Sequence, residues 1–211
     1  DDVLANAGVH IGGTDFDRQL SLACVMPLLG YRSLLNNRRE MPSSIFFNLA
    51  TWHSINFAYT RQALNEQKRL AIDAGEPEKS ARLLALIEQR AGHWLANEVE
   101  QAKIELSAQE STQLRLDRLE PGLLQVISCG DFNAATEALV DRVEATVDAL
   151  LRDAGLAAKA IDTVFFTGGS SGIPQLRQRI AALLPQARSV EGDLFGSIGA
   201  GLADEAARRY G

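Results

Sequence analysis

Glu100, Lys103 and Ser107 are spaced so that about two turns of helix would present a carboxylate, an ammonium and a hydroxyl together. At about 100° per residue the three fall within roughly 60° of one another. A carboxylate on such a face accepts hydrogen bonds from hydroxyl groups such as those of a sugar. An exposed Glu–Lys pair at i, i+3 is otherwise surface decoration worth a few tenths of a kcal/mol, and the stretch by itself leaves both readings open. A second candidate is TVFFTGGSSGIPQLRQRI, residues 163–180. There an apolar run ends in Gly168-Gly169 and a helix begins at Pro174, where the missing N–H of proline costs nothing. Glycines let backbone approach another group closely, and the remaining free N–H groups of a helix start attract anionic or polar oxygens. The turn is either a tight connection or the floor of a binding site.

These candidates need elements to hold them. VLANAGVHI is expected to end a strand, turn at Gly12-Gly13 and enter a helix with Thr14 and Asp17 as an approximate capping box. That helix runs to Cys24–Leu28, where Pro27 and Gly30 interrupt it. Phe46, Phe47, Trp52, Phe57 and Tyr59 crowd into FFNLATWHSINFAY, expected as a local helical core rather than a partner-docking face. Apolar residues from Leu83 to Leu106 recur at three- and four-residue steps, predicting one long helix over about Lys79–Ser107. TQLRLDRL and LLQVIS, parted by Glu120-Pro121-Gly122, read as an antiparallel hairpin. Asp131 is expected to cap a helix reaching about Ala154, with Gly155 just past its end. Val164-Phe165-Phe166 then predicts a strand buried on both faces. With the helix from Pro174 to about Leu184 and a strand near Arg188–Val190 it makes a parallel strand–helix–strand unit. The tail 193–210 is helical by pattern, and its Gly196, Gly199 and Gly201 suit a helix lying close to another backbone. The fold class is mixed α/β.

Bulk composition narrows the function. A net charge of −6, with acids and bases interleaved, argues against a nucleic-acid partner. No apolar run approaches the ~18 residues of a membrane span. The start DDVLANAGVH has no charged-then-apolar leader and no initiator Met, so the chain is expected to be a processed or excised piece. Cys24 and Cys129 are far apart without metal or redox spacing, which suits a reducing, cytoplasmic compartment. His10, His53 and His93 show no ligand spacing, and no metal site is expected.

In order, GGTDFDRQL, EQAKIELS, TVFFTGGSSGIPQLRQRI and GDLFGSIGAG resemble four segments of the seventy-kilodalton heat-shock chaperone family, within the actin-like ATPase superfamily. The resemblance covers about residues 5–29 and 97–203. Residues 31–95 look like an expansion, similar to a divergent bacterial branch of the family that ends without a substrate-binding domain. The fold implied is a partial actin-like (ribonuclease H-like) lobe. Residues 1–12 and 139–211 would form an incomplete α/β subdomain, and 13–138 a helical-plus-hairpin subdomain carrying the expansion.

The resemblance implies a nucleotide cleft, with ATP or ADP and Mg²⁺ bound by the intact protein. Glu100 and Lys103 would face the ribose, Ser107 the base, and Gly13 would lie beside the sugar. Gly168, Gly169 and Ser170 would form the floor near the ribose and α-phosphate, supported by Asp193. Two positions depart from the family pattern. The arginines that sandwich the base are Ile104 and Gly172 here, and losing two cation–π contacts of ~0.5–2 kcal/mol each is expected to weaken adenine binding by about one to two decades. Nothing resembles the phosphate-gripping glycine loops, the catalytic lysine or the magnesium aspartates, so an N-terminal lobe of the same protein is the expected partner, alongside client and co-chaperone proteins. Without that lobe no hydrolysis is expected, because phosphoryl transfer is almost entirely positioning and charge stabilisation. Two rival readings are a sugar or acetate kinase lobe and a non-catalytic interaction module with a vestigial cleft.

Overall fold

The computed structural model describes residues 3–192 and 197–210. The chain divides into two compact units, Thr14–Thr136 and the combination of Asp1–Gly13 with Glu137–Gly211.

The unit Thr14–Thr136 is mostly helical. Helix α1 (Gly13–Leu20) buries Phe16 and Leu20. It widens into a π turn over Ser21–Val25 and tightens into a 3₁₀ turn over Met26–Leu29. Gly30 ends this run at φ 100°, a conformation that favours glycine. The capping-box reading is corrected here, because Thr14 and Asp17 lie inside α1. Residues 3–12 form no strand, and Val3 and Leu4 are exposed. The Asn, Ala and Gly of that stretch favour no extended pairing.

The aromatic-rich segment forms α2 (Ser44–Leu49) and a 3₁₀ run over Trp52–Tyr59. Phe46 and Ile55 are fully buried, whereas Trp52 and Phe57 are 50% and 64% exposed. The expected core therefore accounts for one face only, and the other carries aromatics outward. Helix α3 (Arg61–Ile72) starts at Thr60, whose Oγ1 accepts the Ala63 N–H at 3.2 Å. It packs on α4 (Pro77–Glu88), which opens with proline in its first turn.

The single long helix expected from 79 to 107 is two. Helix α4 stops at Glu88, and α5 (Gly92–Glu105) begins after a three-residue break. Arg90 takes a left-handed φ of 50°, its N–H donates to the Ile87 carbonyl, and the Ala91 N–H donates to that of Leu86. Those two bonds are the usual way a helix closes its last carbonyls. The guanidinium of Arg90 lies 6.0 Å from the centroid of the Tyr59 ring, and the Tyr59 hydroxyl accepts the Gly92 N–H at 2.7 Å.

Strands β1 (Ser111–Arg115) and β2 (Leu124–Ser128) pair antiparallel, Ser111 opposite Ser128. Helix α6 (Cys129–Asp153) follows at once. Its cap is Ser128 rather than Asp131: the Ser128 Oγ accepts the Asp131 N–H at 3.1 Å, while Asp131 accepts the Ser128 N–H at 2.9 Å. The exchange is a capping box, and these bonds hold the Asp131 carboxyl below its ordinary range. Nearby, burial and then the Asp131 charge push the Cys24 thiol up to about 11. Only about one molecule in a thousand then carries the thiolate at pH 8. Alkylation of Cys24 by iodoacetamide at pH 8 is expected to run at least roughly 100-fold slower in the native protein than in urea. Peptide mapping after timed quenching measures it, and equal rates would contradict a raised thiol at this half-buried position.

In the other unit α6 ends with Gly155 at φ 66°, and the Leu156 N–H returns to the Leu151 carbonyl at 2.9 Å. Strand β3 (Thr163–Phe166), helix α7 (Pro174–Leu183) and strand β4 (Arg188–Glu191) form the parallel unit, with Thr163 opposite Arg188 and Phe166 opposite Glu191. Phe166 is buried, but Phe165 is 68% exposed, so β3 is not covered on both faces. Period-two alternation puts successive residues on opposite sides, and here only the Phe166 side is packed. Arg179 on α7 donates to Asp141, at 2.7 Å, and to Glu144, both on α6. Among the described residues nothing stands within 4 Å of a Cβ added at Gly199 or Gly201 of helix α8 (Ser197–Tyr210), and Gly196 lies outside them. Among the described residues no helix is long and apolar enough to cross a membrane.

Candidate functional site

Helix α5 is amphipathic for a local reason. Leu95, Val99 and Ala102 recur at four- and three-residue steps and are buried, which leaves the neighbouring face to carry polar groups. Glu100 is exposed on that face. Lys103 is not: it reaches α1, where its Nζ lies 2.7 Å from the Asp17 Oδ1, with the two side chains only 14% and 18% exposed. Burial holds the Asp17 carboxyl above its ordinary value; the Lys103 ammonium opposes that shift and the Glu100 charge adds to it. Ser107 stands beyond the end of α5, and its Oγ donates to the Ile104 carbonyl at 2.5 Å. Ile104 itself is half-exposed.

Beside Glu100 lies a cavity of about 230 Å³. Ala96, Val99 and Glu100 of α5 form one wall, and Thr14, Asp17 and Ser21 a second; Leu49, Ala50 and Trp52 close it. Trp52 meets His93 edge-on, with ring centroids 4.9 Å apart. The site is thus a largely apolar hollow lined by the exposed Glu100 carboxylate and the more buried Asp17 carboxylate, with the neighbouring Lys103 committed to Asp17. Sequence spacing picks out Glu100 and Lys103 but treats Asp17 only as a helix-start acid. The signal for its role is a buried lysine in need of a counter-charge.

The remaining site residues are placed as follows. Gly13 opens α1. Gly168 and Gly169 follow β3, and a 3₁₀ turn spans Gly169–Gly172, Ser170 included. Gly168 sits at φ 81°, ψ 155°, a region essentially reserved for glycine. A Cβ there or at Gly172 would meet nothing within 4 Å among the described residues, so the requirement at Gly168 is conformational. The turn is held by the Ser171 Oγ, which donates to the Gly168 carbonyl at 2.7 Å, and by Arg177, which donates to the Ser171 carbonyl and pairs with Glu191. Asp193 lies outside the described residues. Among the described residues no group of three or more His, Cys, Asp or Glu side chains converges as metal ligands would.

Comparison with known families decides the relationship. The profile of the family described as Hsp70 protein matches residues 77–204, more than half of the chain. The chain belongs to the Hsp70 family. The chaperone protein DnaK of Halobacterium salinarum is 35% identical over 98 residues, which are 44% of this chain and 16% of that protein. The chaperone protein dnaK1 of Prochlorococcus marinus subsp. pastoris is 33% identical over 116 residues, 51% of this chain and 17% of the relative. The chain thus matches about a sixth of the length of these Hsp70 relatives. Its mixed helices, antiparallel hairpin and parallel pair are those of a partial actin-like ATPase lobe of the Hsp70 type. The Hsp70 match includes α5 and the glycine turn but not α1 or the Leu49–Trp52 wall of the cavity.

Proposed function

We propose that this chain supplies the adenosine side of an ATP/ADP cleft in a heat-shock-type chaperone. The observation that carries the reading is the Glu100 carboxylate, exposed beside a half-open hollow that it helps to line and with no hydrogen-bond or ion-pair partner among the described residues. Ribose offers two adjacent hydroxyl donors, which a carboxylate accepts together. Lys103 serves by fixing Asp17 in the same hollow. Separately, the Gly168–Ser170 turn would present backbone N–H groups to polar oxygens of a ligand. The phosphates and Mg²⁺ would be held by an N-terminal lobe of the intact protein, whose further partners would be clients and co-chaperones, and the chain by itself would bind nucleotide weakly without turning it over.

The test compares adenosine with 2′,3′-dideoxyadenosine by equilibrium dialysis. Hydrogen bonds to a charged acceptor contribute about 1.5–3 kcal/mol, so the wild-type protein is expected to prefer adenosine by roughly 10- to 150-fold. Glu100→Ala should bind both equally weakly. Equal binding of the two by the wild type would sink the ribose assignment.

A further inference from the structure

We propose that a second hollow, between α2 and α3, is a binding site for the guanidinium of an arginine residue on a partner polypeptide. Its walls come from residues 44–67, outside the Hsp70 match, and the site stands independently of the nucleotide reading.

The hollow measures about 160 Å³, and Ile45 and Asn48 of α2 and Ala63, Glu66 and Gln67 of α3 are among its walls. Gln67 is 4% exposed, and its Oε1 is buried without a hydrogen-bond partner among the described residues. Buried amide oxygens are nearly always bonded, because one left unpaired keeps the full cost of its lost hydration. The last torsion of a glutamine is soft, so the carboxamide can turn that oxygen toward a donor that enters the hollow. Glu66 is exposed and has no hydrogen-bond or ion-pair partner among the described residues. An ionised carboxylate only accepts, and the lining holds no Lys, Arg or His to answer it. Anions are repelled, and the occupant must bring both donors and positive charge. Of the two long cationic side chains the guanidinium fits better. Its N–H groups spread in one plane, so several acceptors are met at once while the flat face rests on Ile45 and Ala63. An ammonium is compact and strongly hydrated, and neutral amides replace that hydration poorly. Size settles how much of the ligand enters: the volume is below the ~300–1,000 Å³ of pockets for drug-sized ligands, so it takes a head group only. With no cation in the lining to receive the α-carboxylate of a free amino acid, the guanidinium arrives on a chain whose backbone stays outside.

The experiment titrates N-acetyl-arginine amide into the 211-residue protein and follows the Gln67 side-chain and Ala63 backbone N–H signals by NMR. The blocked lysine and citrulline compounds and free L-arginine are run alongside. Saturable shifts at both reporters are expected with blocked arginine. The lysine compound should bind roughly 10-fold or more weakly, the worth of one hydrogen bond to a charged group. Citrulline, which keeps the shape and loses the charge, and L-arginine, whose carboxylate meets Glu66, should each bind several-fold more weakly. Gln67→Leu, followed at Ala63, should weaken arginine binding by roughly 10-fold or more and yet unfold at the same or a higher temperature, because it removes an acceptor that the fold leaves unpaired. Glu66→Gln should weaken binding and flatten its salt dependence. Equal binding of the arginine and lysine compounds, or arginine binding unchanged by Gln67→Leu, would overturn the assignment. A lower unfolding temperature for Gln67→Leu would also count against it, since the amide would then be paired within the fold. Tighter binding of L-arginine than of the blocked form would overturn the polypeptide source, and no saturable shift at all would mean that water alone fills the hollow. None of these outcomes bears on the adenosine test.

Discussion

Gly92→Ala is expected to destabilise the Thr14–Thr136 unit by about 3–5 kcal/mol. A Cβ at this position would stand 2.6 Å from the Ile55 Cγ2, 2.6 Å from the Tyr59 hydroxyl and 3.3 Å from the Leu49 Cδ2. Neither of the first two contacts is a loose side-chain end. Ile55 is fully buried, and the Tyr59 hydroxyl is fixed by the Gly92 N–H it accepts. Overpacking of this kind costs ~1–3 kcal/mol. Displacing Tyr59 adds ~1–3 kcal/mol for an unpaired N–H at the helix start. Thermal unfolding is expected to shift down by roughly 10 °C or more. Gly201→Ala is the internal control: it lies inside α8 with open space around it and should stabilise by about 0.5–1 kcal/mol. Tyr59→Phe in the Gly92→Ala background removes the colliding oxygen, so the double variant should be less damaged than the sum of the singles. A Gly92→Ala protein within about 1 kcal/mol of wild type would mean that the start of α5 is not pinned as described. The site would be affected too, because α5 carries Glu100 two turns further on.

That same junction shows where sequence reading stops. The strand–helix–strand unit was legible because its punctuation is strong: an apolar run, a glycine pair whose first member needs positive φ, and a proline in the first turn of α7. The hairpin was legible from Pro121-Gly122, with Gly122 at φ 80°. The α4–α5 break carries a glycine too, but the left-handed residue is Arg90, a type that favours helix, and the apolar period runs on across it. What breaks the helix is tertiary: Tyr59, more than thirty residues earlier, takes the Gly92 N–H. Ser128 escaped notice as a cap because it ends a strand whose alternation had already explained it. Of the candidate site, Glu100 and Lys103 were visible as a helical face. The partner of Lys103 and the Leu49–Trp52 wall come from chain positions that no local period connects to α5. Aromatic residues in a cluster predict burial on average, and the average does not say which of them, here Trp52 and Phe57, turn outward.

The pairing of Lys103 with Asp17 is expected to be costly to break and inexpensive to delete. Asp17→Asn leaves an ammonium of 14% exposure without its counter-charge, and the loss should be about 3 kcal/mol, the lower end of the range for broken buried pairs. Lys103→Met leaves the carboxylate instead, with the Glu100 charge still beside it. The two singles differ in their pH dependence. The folded-state value of Asp17 already lies above its ordinary 3.8, so the folded form holds its proton more tightly than the unfolded chain does. Stability on this account falls as pH rises from about 3.8 through the folded value. Removing the ammonium raises that value further, so the deficit of Lys103→Met should shrink as the solution is acidified, whereas Asp17→Asn has no proton to regain. Denaturant midpoints collected between pH 4 and 8 separate the two. The double variant Asp17→Leu/Lys103→Met should lie within about 1 kcal/mol of wild type, because apolar replacements often match a buried pair. If it instead loses the sum of the singles, the two charges do not interact as the 2.7 Å contact requires. A double variant that folds normally yet no longer binds adenosine would locate the value of the pair in holding the acceptor rim beneath Glu100, and not in the stability of the fold.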